Sequence, residues 1–184
     1  MPPMPRWLPN LVSGLRIGLL PVWVWFAEAV ESAPDAAGVA VARTGALATL
    51  LAIGLSDVID GWLARAFHLQ TRAGAILDAV ADKLTQVVLV TWFALRQPTA
   101  FAPIPLWFLL VLVARDLFLL FGWLKLRAHV DVEHQWHGKA ASVLLFVALV
   151  VWTAGLRVSP GWLVPIAALV VWSTADYARR ARTA

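Results

Sequence analysis

The sequence predicts an all-α integral membrane protein of six transmembrane helices with a polar cavity facing the cytoplasm. Three observations carry this expectation. Of 184 residues, 61% are hydrophobic and 14% charged, against about 25% charged in an ordinary soluble domain. The apolar residues fall into segments of roughly the 20 residues needed to cross about 30 Å of hydrocarbon. Lys and Arg collect on one side of the resulting topology, as the positive-inside rule requires of cytoplasmic loops.

The segments follow one another with clear breaks. The first runs from about Leu11 to Val30, after a Pro-rich start, and ends at Glu31-Ser-Ala-Pro-Asp35. The second spans about Val39 to Phe67, the third Gly74 to Arg96 and the fourth Ile104 to Lys125. The fifth covers about His137 to Ala154 and the sixth Trp162 to Tyr177. Pro34, Gln97-Pro98, Pro103-Ile-Pro105 and Ser159-Pro-Gly161 are the breakers expected between helices. No repeat or linker divides the chain, so residues 1–184 read as a single membrane domain. A cleaved signal peptide is the rival reading of the start, because Arg6, an apolar run and Ala27-Glu28-Ala29 imitate its three parts. Against it, the run is long enough to span and carries the bulky Trp23 and Trp25.

An even number of spans places both termini on one side. That side holds Arg6, Arg65, Arg72, Lys125, Arg127, Lys139, Arg179, Arg180 and Arg182, whereas the other holds Arg43, Arg96 and Arg157. The rich side is therefore expected in the cytoplasm, in the cell (inner) membrane. The net charge of +4 is accounted for by this asymmetry, and no nucleic-acid-binding module is recognisable. With no Cys, disulfides and thiolate metal sites are excluded. The eleven Trp suit a chain with two membrane–water boundaries.

Against this apolar background, residues 57–82 place four carboxylates: Asp57, Asp60, Asp78 and Asp82. Asp57 and Asp60 are three apart and Asp78 and Asp82 four apart, so on helices each pair points to one face. A continuous second helix would be about 40 Å long at roughly 1.5 Å per residue, longer than the hydrocarbon is thick. Its apolar part ends near Leu55, which sets all four acids at the cytoplasmic boundary. A helix N-terminus favours an acid and could account for Asp78 alone, but the dipole opposes Asp57 and Asp60 near a C-terminus. Clustered acids at a membrane edge need a compensating partner. Divalent cations supply one, and an all-carboxylate site suits Mg²⁺ or Mn²⁺ rather than zinc.

The run D-x2-D-G-x2-A-R-x8-G-x3-D-x3-D is filled by Asp57, Asp60, Gly61, Ala64, Arg65, Gly74, Asp78 and Asp82. It resembles the signature of the CDP-alcohol phosphatidyltransferase family, membrane enzymes of phospholipid synthesis with a six-helix core. Pro9 and Asn10 followed by Ser13 and Arg16 are similar to the family's N-terminal P-N-x2-[ST]-x2-R pattern. The resemblance implies transfer of the phosphatidyl group of CDP-diacylglycerol to an alcohol, with release of CMP. It also implies that Asp57, Asp60 and Asp78 ligate metal, and that Asp82 is the general base for the acceptor hydroxyl while touching the second of two ions. Two hard cations can bridge a diphosphate and stabilise its leaving oxygen, because phosphoryl transfer is mainly positioning and charge neutralisation.

The resemblance further places Asn10, Gly61, Ala64, Arg65 and Gly74 at the cytidine diphosphate. The plain alternatives are helix capping for Asn10, small-residue helix packing for the glycines and alanine, and a membrane-edge anchor for Arg65. Arg115 and Lys139 resemble positions where members using glycerol phosphate set basic residues, and they are the candidates for an anionic acceptor. An intramembrane Arg115-Asp116 otherwise implies mutual pairing or a polar cavity, and Lys139 a topological role. His129, Glu133, His134 and His137 read as a solvated loop, with no helical ligand spacing among them.

Within the family, Leu77 to Lys83 and the N-terminal pattern are most similar to the phosphatidylglycerophosphate synthases, which use glycerol 3-phosphate. Those enzymes and the CMP-forming cardiolipin synthases usually have Pro where Ala79 stands. Phosphatidylglycerol or an inositol phosphate are therefore the alternative acceptors, although Leu84-Thr85-Gln86 lacks the Ser-Phe-Gly of phosphatidylserine synthases. A homodimer is compatible with the resemblance. From another class, a cation transporter could use the same acids, but it would spread polar groups across the membrane's depth. A catalytically dead scaffold should lack at least one acid, and none is missing.

Overall fold

The computed structural model describes residues 8–67, 72–126, 136–156 and 159–183, without the side chains at 8–10, 64–65, 72–73, 75, 120, 122–126, 136–139, 177 and 180–183. These residues form six α-helices and, among the described residues, no strand. In chain order the helices are α1 (Leu8–Ser32), α2 (Ala36–Ala66), α3 (Arg72–Arg96), α4 (Leu106–Leu126), α5 (Trp136–Thr153) and α6 (Leu163–Thr183). All six expected segments are helical. α6 runs past Tyr177 to Thr183, because the Arg-rich tail continues the helix after its apolar stretch ends.

Local chemistry sets the breaks. Asp35 caps α2, its carboxylate accepting from the Gly38 N–H at 2.7 Å. α3 stops at Gln97, which adopts a left-handed φ of 48° ahead of Pro98. α5 ends in a Schellman turn: Gly155 takes φ 82°, its N–H donates to Trp152 O, and the Leu156 N–H reaches back to Val151 O. Ser159 then caps a short 3-10 helix at Pro160–Trp162 that leads into α6.

α1 packs on α2 and α3, α5 on α6 and α2, and α4 on α6 and α3. Small residues permit the closest approaches. A Cβ added at Gly45 would lie 2.3 Å from the Phe26 ring, and one at Gly54 would lie 2.3 Å from the Phe146 ring. Between the helices lies an aromatic core in which Trp23 meets Trp92 edge-on at 5.3 Å and Phe93 lies between Trp23 and Trp152. Outside, the bundle shows water-hostile groups such as Trp25, Leu55, Val41 and Trp172, all at least 60% exposed. A water-soluble monomer rarely displays apolar surface on this scale. Leu11–Ser32 and Ala36–Leu63 are long and apolar enough to cross a membrane.

One end of the bundle is closed by polar contacts among helix ends. Glu28 of α1 accepts from Arg96 and from the Trp92 indole of α3. Glu31 accepts from the Thr99 N–H and hydroxyl and from the Ala100 N–H. Arg43 of α2 donates to Ala100 O and sits 5.6 Å above the Phe101 ring.

Candidate functional site

The opposite end gathers the acids. Asp57 and Asp60 lie one turn apart near the end of α2, and Asp78 lies in the second turn of α3, as their spacing predicts. One oxygen from each of the three comes within 4.8 Å of the others. Asp60 is at the bottom of the cluster, 3% exposed, whereas the side chains of Asp57 and Asp78 are about half exposed. The site is thus deep on one side and open on the other.

α1 supplies its only buried cation among the described residues. Arg16 is 1% exposed and reaches Asp57 at 2.9 Å, Asp60 at 2.8 Å and Asp78 at 3.4 Å. One turn earlier, Ser13 donates from its hydroxyl to Asp60 Oδ2 at 3.0 Å. A buried charge survives only when paired, so the guanidinium and the Asp60 carboxylate require each other. One guanidinium against three carboxylates still leaves the cluster with excess negative charge. Asp60 Oδ1 is buried and has no hydrogen-bond partner among the described residues. A buried, unpartnered carboxylate oxygen beside two further acids fits the oxygen-only ligand set of Mg²⁺ or Mn²⁺.

Asp82 does not join this three-carboxylate group. One turn further along α3, it is exposed and lines a cavity of about 50 Å³ between α3 and α5, with Thr85, Gln86, Ser142 and Phe146. Asp82 thus stands beside the cluster and also borders a small, mostly apolar cavity that Leu89, Leu145 and Leu149 help to line.

The remaining expected residues are distributed as follows. Gly61 follows Asp60 on α2, and Gly74 stands one turn before Asp78 on α3, both partly exposed. Ala64 and Arg65 belong to α2, Asn10 to α1 and Lys139 to α5, but their side chains lie outside the described residues. His129, Glu133 and His134 lie outside them altogether, as does the side chain of His137. Arg115 is on α4 and faces α6, where it lines a largely apolar groove of about 410 Å³ with Phe118, Val170, Thr174 and Ala178. The acid beside it is engaged elsewhere. Asp116 accepts from Lys83 of α3 at 2.6 Å, with Arg115 at 3.7 Å. The mutual Arg115–Asp116 pairing expected from sequence is therefore shared with Lys83, the residue next to Asp82.

Arg16, Ser13 and Lys83 carry no assigned role in the sequence reading. A signal was present for Arg16, since an ionisable residue inside an apolar span is a functional candidate by default.

Comparison with known proteins accords with this geometry. Residues 6–174 match the family model described as CDP-alcohol phosphatidyltransferase. The chain is 31% identical over 176 residues to a Streptomyces coelicolor protein named cardiolipin synthase (CMP-forming), covering 92% of this chain and 74% of that one. It is 28% identical over 186 residues to the Haemophilus influenzae CDP-diacylglycerol–glycerol-3-phosphate 3-phosphatidyltransferase, covering 95% and 93%. To a protein of Mycobacterium tuberculosis strain H37Rv it is 34% identical over 109 residues, 59% of this chain but only 45% of that relative's length. Motif, acid cluster and family match converge on one statement: the chain belongs to the CDP-alcohol phosphatidyltransferase family.

Proposed function

We infer that the protein transfers the phosphatidyl group of CDP-diacylglycerol to glycerol 3-phosphate with release of CMP, at the cytoplasmic face of the inner membrane. The observation that carries this is the acid cluster, in which the motif residues Asp57, Asp60 and Asp78 converge with a buried carboxylate oxygen left unpartnered. Together with Asp82, one turn along α3, they would hold two divalent ions. Ions held there would supply positive charge to the diphosphate and to the departing CMP oxygen.

The chain's own residues do the rest. Asp82, facing the small cavity lined by Gln86 and Ser142, accepts the proton of the acceptor hydroxyl as that oxygen attacks the lipid-linked phosphorus. Gly61, Ala64 and Gly74 leave room for the nucleotide, with Asn10 beside it, and Arg65 meets a diphosphate oxygen. Arg115 and Lys139 take the phosphate of the acceptor. Six spans put both termini and the acidic end on the side rich in Lys and Arg. The bilayer delivers the lipid substrate, and two copies of the chain pair as a homodimer, which cross-linking in membranes tests.

A second reading, with phosphatidylglycerol as acceptor, is favoured by the likeness to the Streptomyces relative and by the apolar groove at Arg115. Purified protein given Mg²⁺, CDP-diacylglycerol and a panel of acceptors separates the two. Phosphatidylglycerophosphate as product supports the first reading and cardiolipin the second. Cation transport with no CMP formed from any acceptor would return the acids to a transporter.

A further inference from the structure

We propose that Ser13 and Arg16 of α1 are positioning residues that hold the acid cluster in register for metal, with Asp60 Oδ1 as the oxygen they leave available. The proposal rests on the metal-ligand reading above and extends it to a helix that contributes no acid.

The geometry distinguishes this from two simpler roles. A plain helix–helix tie would need one ion pair, but Arg16 contacts carboxylates on both α2 and α3 and is itself 1% exposed. A placeholder cation, displaced when metal arrives, would be expected to engage every accessible oxygen. Arg16 does reach one oxygen on each of the three carboxylates, but on the most buried of them both donors meet on a single atom. Asp60 Oδ2 accepts from both the Ser13 hydroxyl at 3.0 Å and Arg16 Nη2 at 2.8 Å, while Oδ1 of the same buried carboxylate has no partner among the described residues. Two donors on one oxygen fix the rotation of the carboxylate and keep the other oxygen free. That is the arrangement by which groups outside the ligand set orient metal ligands.

The same guanidinium spans Asp57 and Asp78, so it also sets the separation of α2 and α3 at the site. It further lowers the repulsion among three acids brought within 4.8 Å.

The test is Mn²⁺ binding, read by electron paramagnetic resonance of the free ion, on detergent-solubilised full-length wild type, Ser13→Ala, Arg16→Lys and Arg16→Met. Removing an orienting group outside the ligand set typically weakens metal binding by about 10- to 100-fold. Ser13→Ala is expected at the low end of that range and Arg16→Met at the high end, with Arg16→Lys between wild type and Arg16→Met. In CMP release, the Mg²⁺ concentration for half-maximal rate should rise in parallel while kcat at saturating Mg²⁺ largely recovers, a split that a purely structural defect would not produce. If Arg16→Met does not fold, Ser13→Ala and Arg16→Lys carry the test. Unchanged Mn²⁺ affinity in the folded variants, or tighter binding without the arginine, overturns the proposal, and tighter binding makes Arg16 a competitor of the metal. A wild type that binds no Mn²⁺ sinks both the proposal and the metal reading beneath it.

Discussion

The two ends of the bundle are each built from charged residues on several helices, yet they handle charge differently. At the closed end every acid is answered: Glu28 by Arg96 and Trp92, and Glu31 by two backbone N–H groups and a hydroxyl around residue 99. At the acidic end three carboxylates share one guanidinium, and the most buried of them keeps an oxygen without a partner. Both ends draw on α1, α2 and α3, so the difference cannot come from helix packing alone. A satisfied polar cluster rigidifies a fold, whereas an unsatisfied one is costly to keep and signals a ligand. The closed end is a clasp, and the acidic end is the proposed site.

That contrast fails if substitutions at the two ends have interchangeable effects. The largest effect is expected from Asp82→Asn. Loss of a general base lowers the rate by about 10²- to 10⁴-fold, so CMP release should fall by that factor. The thermal midpoint should hardly move, since the side chain is exposed. Full activity in this variant would remove Asp82 from the chemistry. At the closed end the pattern should invert. Gly155→Ala forces a φ of 82° on a residue with a side chain and sets its Cβ 2.6 Å from the Arg43 guanidinium. Strain of that kind costs about 1–3 kcal/mol. Denaturant unfolding should record the loss, with CMP release per folded molecule unchanged. The smallest effect is expected from Glu28→Gln, because ion pairs with exposed partners contribute about 0–1 kcal/mol. A lowered turnover in either closed-end variant would mean that the clasp also shapes the site.

How much of this was legible in the sequence differs between the levels of structure. The helices were, because each apolar run of membrane-spanning length is bounded by Pro, Gly or a capping Asp such as Asp35. Their ends were less so: α2 begins at Ala36 rather than Val39, since the cap and not the first apolar residue starts a helix. The convergence of Asp57, Asp60 and Asp78 followed from their spacing and the short connection between α2 and α3. The part of Arg16 in it did not, because which face of α1 meets α2 and α3 is decided by tertiary contacts such as Phe26 on Gly45. Nor did the link from Lys83 to Asp116, for adjacency made Arg115 the nearer candidate in sequence while α3 supplied the shorter bond. The surroundings of Asp82 were likewise hidden, since spacing alone puts Asp78 and Asp82 on one face and cannot tell that Asp82 also borders a cavity against α5.

The most direct measurement is CMP release from CDP-diacylglycerol and glycerol 3-phosphate as Mg²⁺ is titrated against a chelator, run on wild type, Asp60→Asn and Glu28→Gln. A saturable Mg²⁺ dependence is expected in wild type and Glu28→Gln alike, and its disappearance in Asp60→Asn. Release that persists in excess chelator or in Asp60→Asn, or that is lost in Glu28→Gln, would contradict a metal site at the acidic end.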